Sequence, residues 1–108
     1  MADYTVQEVS VSGVIPTFSA VALSDTFAND GNTILQIDNA GASSVDVTIK
    51  SAVKCNQGFS HDIVVTVAAA TNKIVGPFVP GRFNDPVTNK VTVDYSAITS
   101  VTACVLKL

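Results

Sequence analysis

Ser60, His61 and Asp62 supply the residue types of a hydrolytic triad: a nucleophile, a base and an orienting acid. They are consecutive, however. Side chains of consecutive residues on an extended chain point to alternate faces, so these three do not converge on one atom. A polar loop leading into a strand accounts for them. Asp94 and Ser96 flank Tyr95 with no base beside them. The other acids fall mainly in turns (Asp30, Asp85) or at alternating strand positions (Asp46), the ordinary places for turn formation and solubility. Asp25, Asn29, Asp30 and Asn32 gather oxygen donors of the kind calcium takes, but no Glu stands at the twelfth position of an EF-hand loop. A turn explains the same residues. The chain has no phosphate-binding glycine loop, dinucleotide fingerprint or HExxH helix. Two Cys and one His are too few for a zinc module. The expectation is a protein that is not an enzyme and has no cofactor, no catalytic residue and no metal.

The elements that position these residues read as strands. Val, Ile, Thr, Phe and Tyr make up 43 of 108 residues, whereas the straight-chain helix formers number 15. Residues 4–23 carry one or two extended pieces, interrupted by Gly13 and Pro16, or equally an N-terminal arm that lies on a neighbouring subunit. Asn29, Asp30, Gly31 and Asn32 mark a turn, and Asp-Gly is a strong hairpin signal. A second turn follows at 39–44. Val45, Val47 and Ile49 alternate with Asp46, Thr48 and Lys50, so residues 33–50 read as a hairpin with one wet face. Residues 62–67 form a further strand, and because Val64 is apolar beside Ile63 and Val65 it is expected to be covered on both faces. Residues 73–78 are a strand ended by Pro77, 79–89 a loop, and 91–95 and 101–107 two more strands. Seven or eight short strands with turns every 8–12 residues predict an all-β, single antiparallel sandwich or jelly-roll-like barrel. Residues 1–13 are an N-terminal arm or edge strand, and 14–108 one sandwich domain.

Composition excludes several function classes. Six basic residues against nine acidic ones give a net charge of −3, which argues against a nucleic-acid partner. No apolar run is long enough to span a membrane as a helix, and the start of the chain lacks the basic and apolar regions of a signal peptide. The chain is therefore expected to fold in a cytoplasm, where Cys55 and Cys104 are reduced by default. Phe59, Phe78 and Phe83 lie in or beside loops, and Arg82 is the sole Arg. Two readings compete for them: core packing at the sandwich ends, or anchors of a subunit interface, where aromatics and Arg are favoured. The interface reading selects Phe78, Arg82 and Phe83, together with Tyr4, Val6 and Val9 of the N-terminal segment.

An ordered series of motifs narrows the function. It runs Phe27-Ala28-Asn29-Asp30-Gly31-Asn32-Thr33-Ile34-Leu35, Asn39-Ala40-Gly41-Ala42-Ser43-Ser44-Val45-Asp46-Val47-Thr48-Ile49, and Cys55-Asn56-Gln57-Gly58-Phe59-Ser60-His61-Asp62. It continues with Gly76-Pro77-Phe78, Arg82-Phe83-Asn84-Asp85, Val91-Thr92-Val93-Asp94-Tyr95-Ser96 and Val101-Thr102-Ala103-Cys104-Val105-Leu106. Over residues 14–108 this resembles a family of short proteins encoded among the structural genes of tailed bacteriophages and prophages. Several such β proteins are head decoration, or cement, proteins. The resemblance implies a virion structural protein, made in the bacterial host cytoplasm and carried on the capsid surface. Its partners would be copies of itself, with a trimer favoured by capsid symmetry, and the major capsid protein. Two alternatives stand beside it: a tail-associated subunit, and a small ligand- or carbohydrate-binding sandwich. The second is poorly served by a chain with no Trp and two Tyr.

Overall fold

The computed structural model describes residues 2–52, 57–58 and 62–108. Ser60, His61, Phe59 and Cys55 fall outside these residues, and with them the triad and the question of a Cys55–Cys104 pairing. The chain forms ten strands: β1 (Ala2–Tyr4), β2 (Val6–Glu8), β3 (Ser19–Ala20), β4 (Ser24–Ala28), β5 (Thr33–Asn39), β6 (Val45–Ile49), β7 (Ile63–Val67), β8 (Thr71–Val75), β9 (Lys90–Tyr95) and β10 (Val101–Lys107). One helical turn, α1 (Pro80–Phe83), breaks the expected 79–89 loop. Two sheets pack face to face. The first has the order β1-β4-β9-β6-β7, and the second β2-β10-β5-β8 with β3 also on β10. The all-β sandwich expected from composition is the fold.

Alternation decides what faces inward. Along β5, Thr33, Leu35, Ile37 and Asn39 are buried and Ile34, Gln36 and Asp38 are not. Along β9, Val91, Val93 and Tyr95 are buried. Val45, Val47 and Ile49 of β6 and Val101, Ala103 and Val105 of β10 belong to one core, in which Asp25 is the sole buried acidic or basic residue among those described. Burying side chains of this size is worth about 1.5–3 kcal/mol each, which makes this two-layer core the main stabilising term.

Three expectations need correction. Residues 33–50 are not a hairpin: β5 lies in the second sheet and β6 in the first. The turn at 29–32 likewise carries the chain from β4 in one sheet to β5 in the other. Among consecutive strands, only β6 and β7 pair with each other directly. Alternation and turn residues are the same for a hairpin and for an arch between sheets; what differs is where the buried side chains find their partners. Nor are the sheets wholly antiparallel, since β1 pairs parallel with β4 and β2 pairs parallel with β10. Finally, β7 is not covered on its outer face: Val64 is 58% exposed.

Buried asparagines build the arches. Asn39 is fully buried, and its Nδ2 donates to the carbonyls of Ser43 (2.8 Å) and Val67 (3.1 Å) while its Oδ1 accepts from Gly41 N–H (3.0 Å). Asn29 repeats the device at the neighbouring turn. Its Oδ1 accepts from Gly31 N–H (3.0 Å), and its Nδ2 donates to Asn84 Oδ1 (2.7 Å) and to the Phe78 carbonyl (3.2 Å). Asn84 returns a bond from its Nδ2 to the Asn29 carbonyl (2.7 Å), so the 78–89 connection is tied to the β4–β5 arch. No buried side-chain polar atom among the described residues lacks a partner.

Both sheets end in an edge strand on the same side, β7 and β8. Lys73 is the cross-strand partner of buried Ile37, so its stem lies on the core side of β8. Its Nζ donates to the Thr66 carbonyl of β7 at 3.1 Å. An inward-pointing lysine is a recognised way to blunt an edge. Gly76 ends β8 with φ +126°, and a Cβ there would meet the Thr33 carbonyl oxygen at 3.1 Å and Ile34 Cα at 3.2 Å. Gly76→Ala is therefore expected to lower stability by about 1–3 kcal/mol, read as a reduced Tm or denaturant midpoint. An unchanged midpoint would show that β8 shifts to make room.

Candidate interaction surface

The N-terminal segment enters the sandwich through chemistry more than through area. Asp25, on the inward face of β4, is fully buried. Its Oδ2 accepts the hydroxyl of Tyr4 and the N–H of Ala22 (3.1 Å), and Tyr4 Oη lies 3.0 Å from Tyr95 Oη. On the outer face of the same strand, Asp3 accepts from Thr26 Oγ1 (3.0 Å) and pairs with Lys90 (2.8 Å). Burial raises the pKa of both tyrosines above the ordinary phenol range. The adjoining Tyr95 hydroxyl and the Asp25 carboxylate add to the effect on Tyr4, while the bond to Tyr4 offsets part of it on Tyr95. A phenolate facing a buried carboxylate in low dielectric is strongly disfavoured.

The structure places the candidate contact residues unevenly. Tyr4 is buried in the cluster just described, and Val6 is half-buried against the core. Val9 is exposed. Phe78 packs against Phe27 and Phe83, with ring centroids 5.6 and 5.8 Å away, and both Phe78 and Phe83 are buried. Core packing at the end of the sandwich thus accounts for both loop phenylalanines inside the domain. Arg82 remains at the surface, its guanidinium carbon 4.8 Å from the centroid of the Phe83 ring.

The large apolar residues left exposed are aliphatic instead. Val11 and Ile15 are essentially fully solvated, at 109% and 91% exposure, and Val9 and Val14 stand beside them in the strandless connection from β2 to β3. Val79 and Val87 are exposed on the same connection as Arg82. Val64 and Ile74 are exposed on the two edge strands. Scattered exposed apolar residues are ordinary, but four within seven positions of one loop are a concentrated patch. The signal was present in the sequence as Val9, Val11, Val14 and Ile15, interrupted by Ser and Gly where a core strand would continue.

The proposed calcium donors are spent elsewhere. Asp25 faces the core, Asn29 holds Asn84, and Asp30 accepts from Asn32 N–H (3.0 Å) and pairs with Lys107 (3.0 Å). Those partners hold the Asp30 carboxyl below the usual range, the Asn32 N–H first among them. Beside β10, a groove of about 460 Å³ is lined by Tyr4, Gln7, Thr17, Ser19 and Cys104, among others. Gln7 bridges it by donating from Nε2 to the Thr17 carbonyl (3.0 Å) and accepting Thr17 N–H (2.9 Å). Burial raises the Cys104 thiol pKa, which keeps it protonated and a poor nucleophile. No helix of the described residues is long and apolar enough to cross a membrane.

The fold and surface define an all-β sandwich with apolar loops. No family model, curated protein or solved structure matches the chain.

Tyr4 and Tyr95 are the only tyrosines. Their folded pKa values lie above the unfolded value of about 10, so the stability they carry is complete below that pH and is lost as pH rises through it. Absorbance at 295 nm should show both phenols ionising together, in one cooperative step coincident with loss of structure by circular dichroism. Two hyperbolic titrations near pH 10 in folded protein would disprove the burial. Tyr4→Phe leaves Asp25 one donor short and should cost about 1–3 kcal/mol at neutral pH, measured by denaturant unfolding.

Proposed function

We propose that this protein is a virion structural protein of a tailed bacteriophage, most directly a head decoration protein that binds and stabilises the capsid surface. The observation that carries the reading is the apolar projection at Val9, Val11, Val14 and Ile15 on a compact sandwich whose buried polar groups are satisfied. A decoration protein needs that combination: a body that keeps its shape outside the cell, and contact residues that stay in water until a lattice covers them. The ordered motifs from Phe27 to Leu106 give the reading its virion context. The partner is the major capsid protein, and self-association as a trimer would match threefold positions on the capsid. Several weak contacts per oligomer then add to a durable coat.

Sparse charge supports the same reading. Of the five lysines, Lys50, Lys90 and Lys107 are paired with Asp62, Asp3 and Asp30. Exposed pairs of this kind stabilise little, but they leave fewer lysine charges to desolvate when a neighbour docks.

Purified protein mixed with undecorated phage heads should co-sediment at saturating, stoichiometric amounts, and the coated heads should resist heat better than bare ones. Binding to tails alone would move the assignment to the tail, and no binding to either would remove it. Arg82→Ala, at the exposed side of α1, is expected to weaken head binding about tenfold while leaving the Tm within a few degrees, since an exposed side chain and its contact with the Phe83 ring are modest stabilising terms. Unchanged head binding would take that turn out of the interface.

A further inference from the structure

The N-terminal strands have an unusual relation to the body they complete. β1 and β2 are three residues each, pair parallel with β4 and β10, and cross from one sheet to the other through Thr5. Neither pairs with a strand next to it in sequence. Their hold is local and specific: Tyr4 on Asp25 and Tyr95, Asp3 on Thr26 and Lys90, and Gln7 on Thr17. Residues 2–8 thus form the outermost strand of both sheets on one side, on β4 in the first and on β10 in the second, and the space they fill is the β4–β10 edge cleft.

The connection from β2 to β3 spans residues 9–18. It is folded back on itself, with Gly13 N–H donating to the Ser10 carbonyl at 2.9 Å and Gly13 at φ +92°. Extended, ten residues span about 33 Å, close to the 39 × 35 Å breadth of the molecule. The same connection holds Val9, Val11, Val14 and Ile15, the densest exposed apolar residues among those described.

We infer that residues 2–8 are an exchangeable strand pair that fills the β4–β10 cleft of a second copy of this chain, with residues 9–18 as the hinge. The exchange keeps the strand pairing and the Tyr4 and Asp3 bonds, because the neighbour presents the same β4, β9 and β10 groups. It gives up the Ser10–Gly13 turn and the Gln7–Thr17 pair, which belongs to the hinge. In return the four hinge side chains move from water to the junction between copies. This burial offsets those two local losses and sets the direction, and mass action adds to it as concentration rises. Repeated around a ring, the exchange links each copy to the next and closes at a small number of subunits. The inference concerns the isolated protein and does not depend on capsid binding, so either can fail without the other.

Asp3 and Thr26 are register partners with bonded side chains, so Asp3→Cys with Thr26→Cys, in a chain with Cys55→Ala and Cys104→Ala, places two thiols within disulfide reach. Oxidised at a concentration where light scattering shows oligomers, the exchanged protein gives covalent multimers on a non-reducing gel. Crosslinked monomer alone overturns the inference, as does a wild-type chain that stays monomeric at every concentration. A second arm keeps the native cysteines. Two populations of full-length protein with different fluorophores are mixed, and subunit exchange is followed by energy transfer. Exchange requires residues 2–8 to leave the cleft, so Tyr4→Phe should speed it about fivefold or more. A buried hydroxyl has no such effect on an ordinary surface contact, and an unchanged rate overturns the inference.

Discussion

The whole architecture depends on satisfying the backbone where the chain leaves one sheet for the other. A hairpin carries its own ladder into the turn; an arch does not. At Ser43 and Val67 the carbonyls that an arch strands are met by one buried amide, Asn39. At the adjacent arch Asn29 and Asn84 do the same for each other's connections. Each unsatisfied carbonyl in such a position costs about 1–3 kcal/mol, comparable with a whole aliphatic side chain of the core. Because these amides face inward, they also fix which residues of β4, β5 and β9 face inward. The apolar alternation then supplies the energy for an arrangement that the asparagines have specified.

The Asp25 cluster follows the same logic with a charged group. A carboxylate in the core is expensive, and removing one donor exposes that expense at once. The cluster makes the N-terminal strand pair part of the body rather than an appendage. It also separates two meanings of an aromatic residue near a terminus. Tyr4 looks like a contact residue in sequence, amphipathic and close to the chain start, yet its hydroxyl is directed to an internal acceptor. The exposed apolar residues near it in sequence are plain valines and an isoleucine, whose burial against any neighbour would be non-directional.

Much of the fold was legible in the residues. Strand positions followed from period-two alternation, most clearly in Val45–Ile49 and Lys90–Tyr95, and the all-β class from β-branched content. The pairing was not legible. Asn29-Asp30-Gly31 and Asn39-Ala40-Gly41 use the same turn chemistry that closes hairpins, and only the long-range destination of each asparagine side chain distinguishes the two outcomes. For a related reason the residues alone left the loop phenylalanines open between core packing and interface anchoring. The single helical turn Pro80–Phe83 brings the Phe83 ring back onto Phe78, which itself packs on Phe27, and no local pattern announces that return. The exposed aliphatic loop was readable in principle, as apolar residues set among Ser and Gly rather than in strand alternation.

The place of β10 in the second sheet has a consequence in time rather than in space. β2 and β3 pair with no strand but β10, and β5 pairs with it along all seven of its residues. A chain emerging from the ribosome holds β2 and β3 without their partner until almost all of it has been made, while β5 can pair first with β8. Folding dominated by such distant partners belongs to the millisecond-to-second range and waits on completed synthesis. The early segments must therefore stay soluble while they wait. Glu8, Asp25, Asp30 and Asp38, spread along the first third of the chain with Pro16 and two glycines between them, are suited to that interval: like charges hold nascent chains apart, and the turn formers keep premature strands short.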